Sequence, residues 1–208
     1  MDADTTSTLP FADLNLRRNP FGACSLLDQA ALADVEVDEV VTFLDTPRAT
    51  VQFTGDKGYG KTTHLLAIRE RFSASGYVHI AEGERAELPA GIPLLIDEAQ
   101  RLTFRQRRKL FRTEIPLVLG THTDFTRSLE RSGRQVWTLA VQDRMTPERL
   151  TRILNARIEW VRRKNGPVPR VRYQTAARML AQFGPDVRQI QYELYLSFQN
   201  RKHGICDV

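Results

Sequence analysis

The sequence predicts an α/β chain: a parallel sheet of about five strands flanked by helices, followed by a small three-helix unit. Three observations predict it. Short apolar runs alternate with polar or helical stretches between residues 46 and 145, and unbroken apolar runs suit parallel strands covered on both faces. A glycine-rich turn at 55–62 joins the first such run to a helical pattern. After residue 145 the strands cease and apolar residues recur at helical spacing.

The chain has 208 residues, 41% hydrophobic and 26% charged, which implies a packed core and excludes global disorder. Two cysteines far apart, Cys24 and Cys206, exclude a disulfide framework and a cysteine-based metal cluster. No apolar run approaches the roughly 18 residues of a membrane span, and Met1-Asp2-Ala3-Asp4 is the opposite of a secretory signal. The expectation is a cytoplasmic protein with no membrane partner. The net charge of +5 is unevenly spread: residues 1–45 hold nine acids and two bases, while 46–208 hold 28 bases and 16 acids. A basic body favours a polyanion such as DNA. Arginine-rich coding bias is the competing explanation, since 25 of the 30 bases are Arg. The chain divides by composition into an acidic leader with short helices (1–45), an α/β domain (46–145) and a helical lid (146–208).

In chain order, residues 1–19 read as a loose leader, and Arg18–Gly22 as a turn with one exposed aromatic, Phe21. Residues 24–44 form one or two short helices. Ala49–Thr54 is a β-branched strand ending at Gly55, and Thr62–Phe72 a helix. Further strands fall at Tyr77–Ala81, Ile92–Ile96, Ile115–Leu119 and Val136–Val141. Only about ten residues, Glu82–Gly91, join the second strand to the third, below the usual length of a βαβ crossover. Either that helix is a stub or the second strand is an irregular edge. Thr146-Pro147-Glu148 starts the first helix of the trailing unit. Tyr173–Ala181 marks the second, closed by Gly184-Pro185, and Asp186 with Gln189 reads as a capping box for the third.

Gly55-Asp56-Lys57-Gly58-Tyr59-Gly60-Lys61-Thr62 matches the phosphate-loop pattern G-x-x-x-x-G-K-[ST] in full, between a strand and a helix. Glycines let backbone N–H groups curl around phosphate oxygens, and the helix N-terminus adds partial positive charge. Lys61 is expected at the β- and γ-phosphates of ATP, and Thr62 at Mg²⁺. Thr63 follows in the same first turn. At the end of the third strand, Leu94-Leu95-Ile96 runs into Asp97 and Glu98. Asp97 is expected to hold the metal, and Glu98 to polarise the attacking water as general base.

With these motifs and the trailing helical unit, the chain resembles a AAA+ ATPase, closest in look to origin-recognition and transposition-associated bacterial members. The remaining expectations come from that resemblance. Gly184-Pro185-Asp186-Val187-Arg188 is similar to the signature opening the lid's last helix, which makes Arg188 a second sensor of the γ-phosphate. Gly120-Thr121-His122 stands where the family has a polar first sensor; Thr121 is the first choice and His122 the second. Arg131 and Arg134 precede the fifth strand, where the family supplies an arginine to a neighbouring subunit. Arg18–Phe21 resembles a segment that cups adenine, and Leu150–Glu159 a first lid helix. The implied function is an Mg²⁺-dependent ATPase whose nucleotide state controls homo-oligomerisation and engagement of a partner, DNA or an effector protein. Two rivals remain: an ATP-loaded interaction switch or targeting scaffold with little turnover, and a small-metabolite kinase. The kinase requires a substrate-binding insertion among the strands, whereas here the helices come last. Two basic stretches, Arg101–Arg112 and Arg162–Arg172, suit either phosphate contact or solvated helix faces.

Overall fold

In the computed structural model, which describes residues 10–200, five strands form one all-parallel sheet. They are β1 (Ala49–Thr54), β2 (Gly76–His79), β3 (Leu94–Asp97), β4 (Leu117–Thr121) and β5 (Gln135–Ala140), in the order β2-β3-β4-β1-β5. The chain therefore passes over β1 on its way from β4 to β5. Register pairs Thr54 with Thr121 and Asp97 with Gly120, which brings the C-terminal ends of β1, β4 and β3 to one edge. In open parallel sheets that edge, where connections diverge, is where ligands bind.

Period-two burial covers both faces of the sheet. Val51, Phe53, Leu95, Val118 and Leu139 cluster with α2 (Asp38–Leu44) and α3 (Lys61–Arg69). Leu94, Ile96, Leu117 and Leu119 turn the other way, onto α4 (Phe104–Phe111) and α5 (Thr126–Arg131). Each such fully buried side chain contributes about 1.5–3 kcal/mol of apolar burial, which makes this two-sided core the dominant stabilising term.

On β1 the α4/α5 face is polar instead. Thr50 and Gln52 are fully buried. The Gln52 amide donates to Asp124 (2.6 Å), Thr126 and Thr138 (both 2.7 Å), and its carbonyl accepts the Phe125 N–H at 3.0 Å. Thr50 accepts from Nε of Arg134, whose other nitrogens donate to the carbonyls of Thr113 (2.7 Å), Ala49 (2.9 Å) and Ile115 (2.5 Å). A buried polar group without partners costs about 1–3 kcal/mol, so these bonds are what permit a polar stripe here.

The connection from β2 to β3 holds no helix; β2 is an edge strand, which settles the choice left open by the short spacing. Ile80 is buried, Leu88 packs on the same core cluster, and Gln106 donates to the Ala86 carbonyl at 2.8 Å. The path passes so close to β2 that a Cβ at Gly91 would lie 1.9 Å from the backbone nitrogen of Gly76. Strands β3 and β4 begin after their prolines rather than before them, and each ends on a polar residue, Asp97 and Thr121.

The chain forms two compact units: Ser25–Met145, and the chain through Cys24 together with Thr146 onward. The composition-based leader of 1–45 is thus divided. Its later part joins the α/β unit because Val37, Val40 and Leu44 enter that core, and α1 (Leu26–Ala31) starts there behind a Ser25–Asp28 capping box. Within its earlier part, the described residues 10–24 are not loose. In the helical unit, Leu16 bridges Arg162 in antiparallel fashion, Asn15 donates to the Lys164 carbonyl (2.9 Å), and buried Arg157 donates to the carbonyls of Pro20 (3.0 Å) and Gly22 (2.8 Å). Leu14, Leu16 and Phe21 are buried. Phe21, read as exposed from the sequence, lies edge-on to Phe198 at 5.3 Å. Residues 1–9 and Cys206 lie outside the described residues.

The helical unit comprises α6 (Pro147–Trp160), α7 (Tyr173–Phe183) and α8 (Val187–Gln199). Thr146 caps α6, accepting from the Arg149 N–H, with Pro147 in the first turn. Asp186 accepts the Gln189 N–H at 3.0 Å, but the Gln189 amide donates to Glu193 at 2.9 Å, so the reciprocal half of the expected box does not form. No described helix is long and apolar enough to cross a membrane.

Gly91→Ala is expected to force β2 and its connection apart. At about 2 kcal/mol or more, with roughly 2–4 °C per kcal/mol for a chain of this size, the melting temperature falls by about 4–8 °C. An unchanged melting curve contradicts the close approach.

Candidate active site

Residues 55–60 leave β1 and enter α3 through Gly60, which takes a left-handed conformation (φ 98°). Asp56 and Lys57 of the loop are exposed, whereas Gly55, Gly58, Tyr59 and Gly60 are half-buried and Tyr59 packs on the core. Lys61 is buried, and its ammonium arches back to donate to the carbonyls of Gly55 (2.8 Å) and Asp56 (3.0 Å). The first turn of α3, Lys61-Thr62-Thr63, carries no acid. The helix N-terminus and the lysine thus add their positive potentials at one place, which suits an anion.

Asp97, fully buried at the end of β3, faces this turn. Its Oδ2 accepts from the Thr62 hydroxyl at 2.7 Å and lies 3.0 Å from Nδ1 of His79; its Oδ1 accepts the Glu98 N–H at 3.1 Å. A hydroxyl and a carboxylate converging at the phosphate loop are the hard oxygen donors that Mg²⁺ takes from protein when phosphates complete its shell. Thr62 and Asp97 therefore fit the implied metal.

Glu98 follows in a left-handed conformation (φ 62°, ψ 43°) and opens a short 3₁₀ turn, Ala99–Arg101. Its Oε2 accepts from the Gln100 amide at 2.8 Å and lies 3.4 Å from Arg101; its Oε1 lies 3.5 Å from Nε2 of His122. Burial pushes the Glu98 carboxyl up, but the Gln100 hydrogen bond and the charges of His122, Arg101 and Lys61 together hold it below the usual glutamate range.

At the end of β4 the two first-sensor choices part. The buried Thr121 hydroxyl is engaged within its own turn, donating to the Thr123 carbonyl and accepting the Thr123 N–H, both at 2.9 Å. His122 is the residue that reaches the loop: its Nε2 lies 3.4 Å from the Lys61 ammonium, and its backbone N–H donates to Gln100 at 3.3 Å.

The two arginine choices part as well. Arg131 is exposed at the end of α5. Arg134 is inside, engaged with Thr50 and three carbonyls of its own unit; burial, and then the nearby Arg48, push its guanidinium down to about 10. A group so engaged has nothing to extend to a neighbour. Arg188 is exposed in the first turn of α8, and Phe21 belongs to the core of that same helical unit.

Two residues at the site were not among the sequence candidates. Gln100 stands two places after Glu98 on the turn that follows it. His79 ends β2 and is the register partner of Asp97. Their signal lay in strand pairing and local turn geometry, which spacing along the chain does not show.

A phosphate loop after β1, an acidic pair after β3 and a parallel β2-β3-β4-β1-β5 sheet give this chain the fold of the AAA+ P-loop ATPases. Among solved structures it is similar to Cdc6p from Pyrobaculum aerophilum, at 15% identity and a TM-score of 0.51, over 96% of this chain and 66% of that one. At that identity the likeness is one of fold. No protein-family model matches the sequence, and no curated protein matches it.

Arg134→Ala leaves the buried carbonyl of Ala49 and the half-buried carbonyls of Thr113 and Ile115 without their donor and is expected to destabilise by about 3 kcal/mol. Urea unfolding measures it; a midpoint equal to wild type contradicts the buried role. Glu98, ionised more readily folded than unfolded, adds stability that is present above about pH 4.5 and lost as pH falls through its folded value. Melting temperature against pH should therefore fall less steeply on the acid side in Glu98→Gln than in wild type; parallel curves contradict it.

Proposed function

We propose that this chain binds Mg-ATP at Gly55–Thr62 and hydrolyses it, with the nucleotide state governing self-association and partner engagement. The carrying observation is the meeting of the Thr62 hydroxyl and the Asp97 carboxylate, 2.7 Å apart, beside a loop that already holds its lysine buried. On this reading Lys61 binds the β- and γ-phosphates, and Thr62 and Asp97 hold Mg²⁺, which when bound neutralises the charge developing on the phosphates. Glu98 takes the proton of the water whose oxygen attacks the γ-phosphorus, and ADP departs as leaving group. Gln100 and His122 restrain the Glu98 carboxylate in place. Arg188 as second sensor, Thr121 or His122 as first sensor, and Arg131 as the arginine offered to a neighbouring copy are carried by the resemblance; of the two first-sensor residues, geometry favours His122. DNA and an effector protein are the partner classes this reading allows.

A second reading, an ATP-loaded interaction switch with little turnover, draws support from one observation. A carboxylate held below its ordinary range is a weaker base, and Glu98 is so held.

Lys61→Ala is expected to abolish Mg-ATP binding by calorimetry. Glu98→Gln should keep binding and lose about 10²–10⁴-fold in turnover. Specific ATPase activity should rise with protein concentration if a neighbour completes the site. Retained binding in Lys61→Ala overturns the nucleotide site, and equal slow turnover in wild type and Glu98→Gln favours the switch.

A further inference from the structure

One face of α4 carries a set of charges that the nucleotide site does not use. Phe104, Arg107, Arg108, Phe111 and Arg112 each stand three or four positions from another of the set, so they share a side of the helix. With Ser128, Arg131 and Ser132 around the end of α5 they line a groove of about 230 Å³. Its floor is aromatic. Phe111 is buried and edge-on to Phe125 at 5.9 Å, and the Arg107 guanidinium lies 4.9 Å over the Phe125 ring, which fixes it from below. Arg108, Arg112 and Arg131 are exposed, and among the described residues no carboxylate pairs with any of the four arginines. The nearby Glu114 is taken by Arg48 at 2.8 Å. Four guanidiniums crowded without a counter-charge repel one another, and an anion relieves that repulsion.

The choice of anion follows from what else lies on that face. Planar guanidinium forks match phosphate oxygens well. Phe104 lies on the same face with 68% of its surface exposed, a large apolar ring left in solvent beside the cations. A cationic groove with an exposed ring on which a base can stack is the combination that grips single strands, whose backbone follows the charge while the bases lie open. Paired bases offer no such open face, and an acidic peptide would use the charges but not the ring's stacking surface.

We propose that the α4–α5 groove binds a single-stranded nucleic acid, Arg107, Arg108 and Arg112 neutralising backbone phosphates and Phe104 stacking on a base. The proposal stands apart from the ATP reading: it requires neither Lys61 nor Glu98.

The test is fluorescence anisotropy of the full chain with a labelled 20-nucleotide oligothymidine and its RNA counterpart at 50 mM salt and above. A duplex of the same length and poly-glutamate are run beside them. Wild type should bind the single strands in preference to both, with log affinity falling linearly in log salt by about 0.7 per phosphate neutralised. Arg108→Ala/Arg112→Ala should flatten that slope by about 1.4, and Phe104→Ala should weaken binding about five- to 100-fold. All three side chains are exposed, so melting temperature should hold in both variants, and Arg131 is left in place because it is the candidate for the neighbour's site. No single-strand binding by wild type overturns the proposal, as does equal affinity for duplex or poly-glutamate with Phe104→Ala neutral. A double variant that binds normally but loses the concentration dependence of its ATPase activity overturns it too, by marking the groove as a contact between copies.

Discussion

The site depends on one contact, the hydrogen bond from Thr62 at the start of α3 to Asp97 at the end of β3. These residues follow strands that are not neighbours, because β4 lies between β1 and β3. The contact must therefore cross the end of β4, and it crosses beside Gly120, the register partner of Asp97. A Cβ at Gly120 would stand 2.8 Å from Oδ1 of Asp97. A glycine at this position leaves the Asp97 carboxylate room to face the phosphate loop. Without that clearance a full phosphate-loop motif and a full acidic pair would sit on the same sheet edge and fail to converge.

The two faces of the sheet are held by different forces, and this bears on where charge can appear. Toward α2 and α3 the packing is mainly apolar, with the His64 ring against Phe53 at 4.8 Å, and the helix bearing the phosphate loop is seated by it. Toward α4 and α5, β1 presents Thr50 and Gln52, and the hydrogen bonds of Arg134, Asp124, Thr126 and Thr138 take over. Directional bonds of this kind fix the start of α5 and the approach to β5 more tightly than contact area alone. They also absorb one arginine of the basic body into the interior. The outward side of α4 carries no such duty, and its arginines stay in solvent.

Legibility in the sequence tracked how local each signal was. β3 and β4 could be read because both of their faces are buried, so each becomes a continuous apolar run, and the phosphate loop because eight consecutive residues specify it. Strand ends were displaced by one or two residues at β3 and β4, where the final residues are Asp97 and Thr121, polar types that composition assigns to loops. The polar stripe of Thr50 and Gln52 on β1 went unread, and nothing near Thr50 in the sequence names Arg134 as its partner 84 positions on. Still greater separations hid Phe21 against Phe198 and Asn15 against Lys164: a short polar leader looks loose until its few apolar residues find a helix to cover. Gln100 stood two places from Glu98 and was still unread, because its role comes from the left-handed turn at Glu98, which brings the amide back onto the carboxylate.

That turn ties base strength to phosphate binding. Glu98 is held below the usual glutamate range by the Gln100 amide and by the neighbouring His122, Arg101 and Lys61. Arg101 also donates to the Ile80 carbonyl at 2.7 Å, which anchors it on the β2 side. Lys61 and His122 belong to the phosphate loop's own edge, 3.4 Å from each other. An anion in that loop draws on the same two charges, so the field they exert on Glu98 weakens as the anion binds, while Arg101 and Gln100 continue to hold it. On the proposed reading, the carboxylate is kept unprotonated by groups that the triphosphate then recruits, and its affinity for a proton rises toward the ordinary glutamate value when there is a water to activate. The left-handed backbone at Glu98 and the clearance at Gly120 are thus two halves of one arrangement: the first places the acid that on the proposed reading receives the proton, the second the acid that on that reading holds the metal.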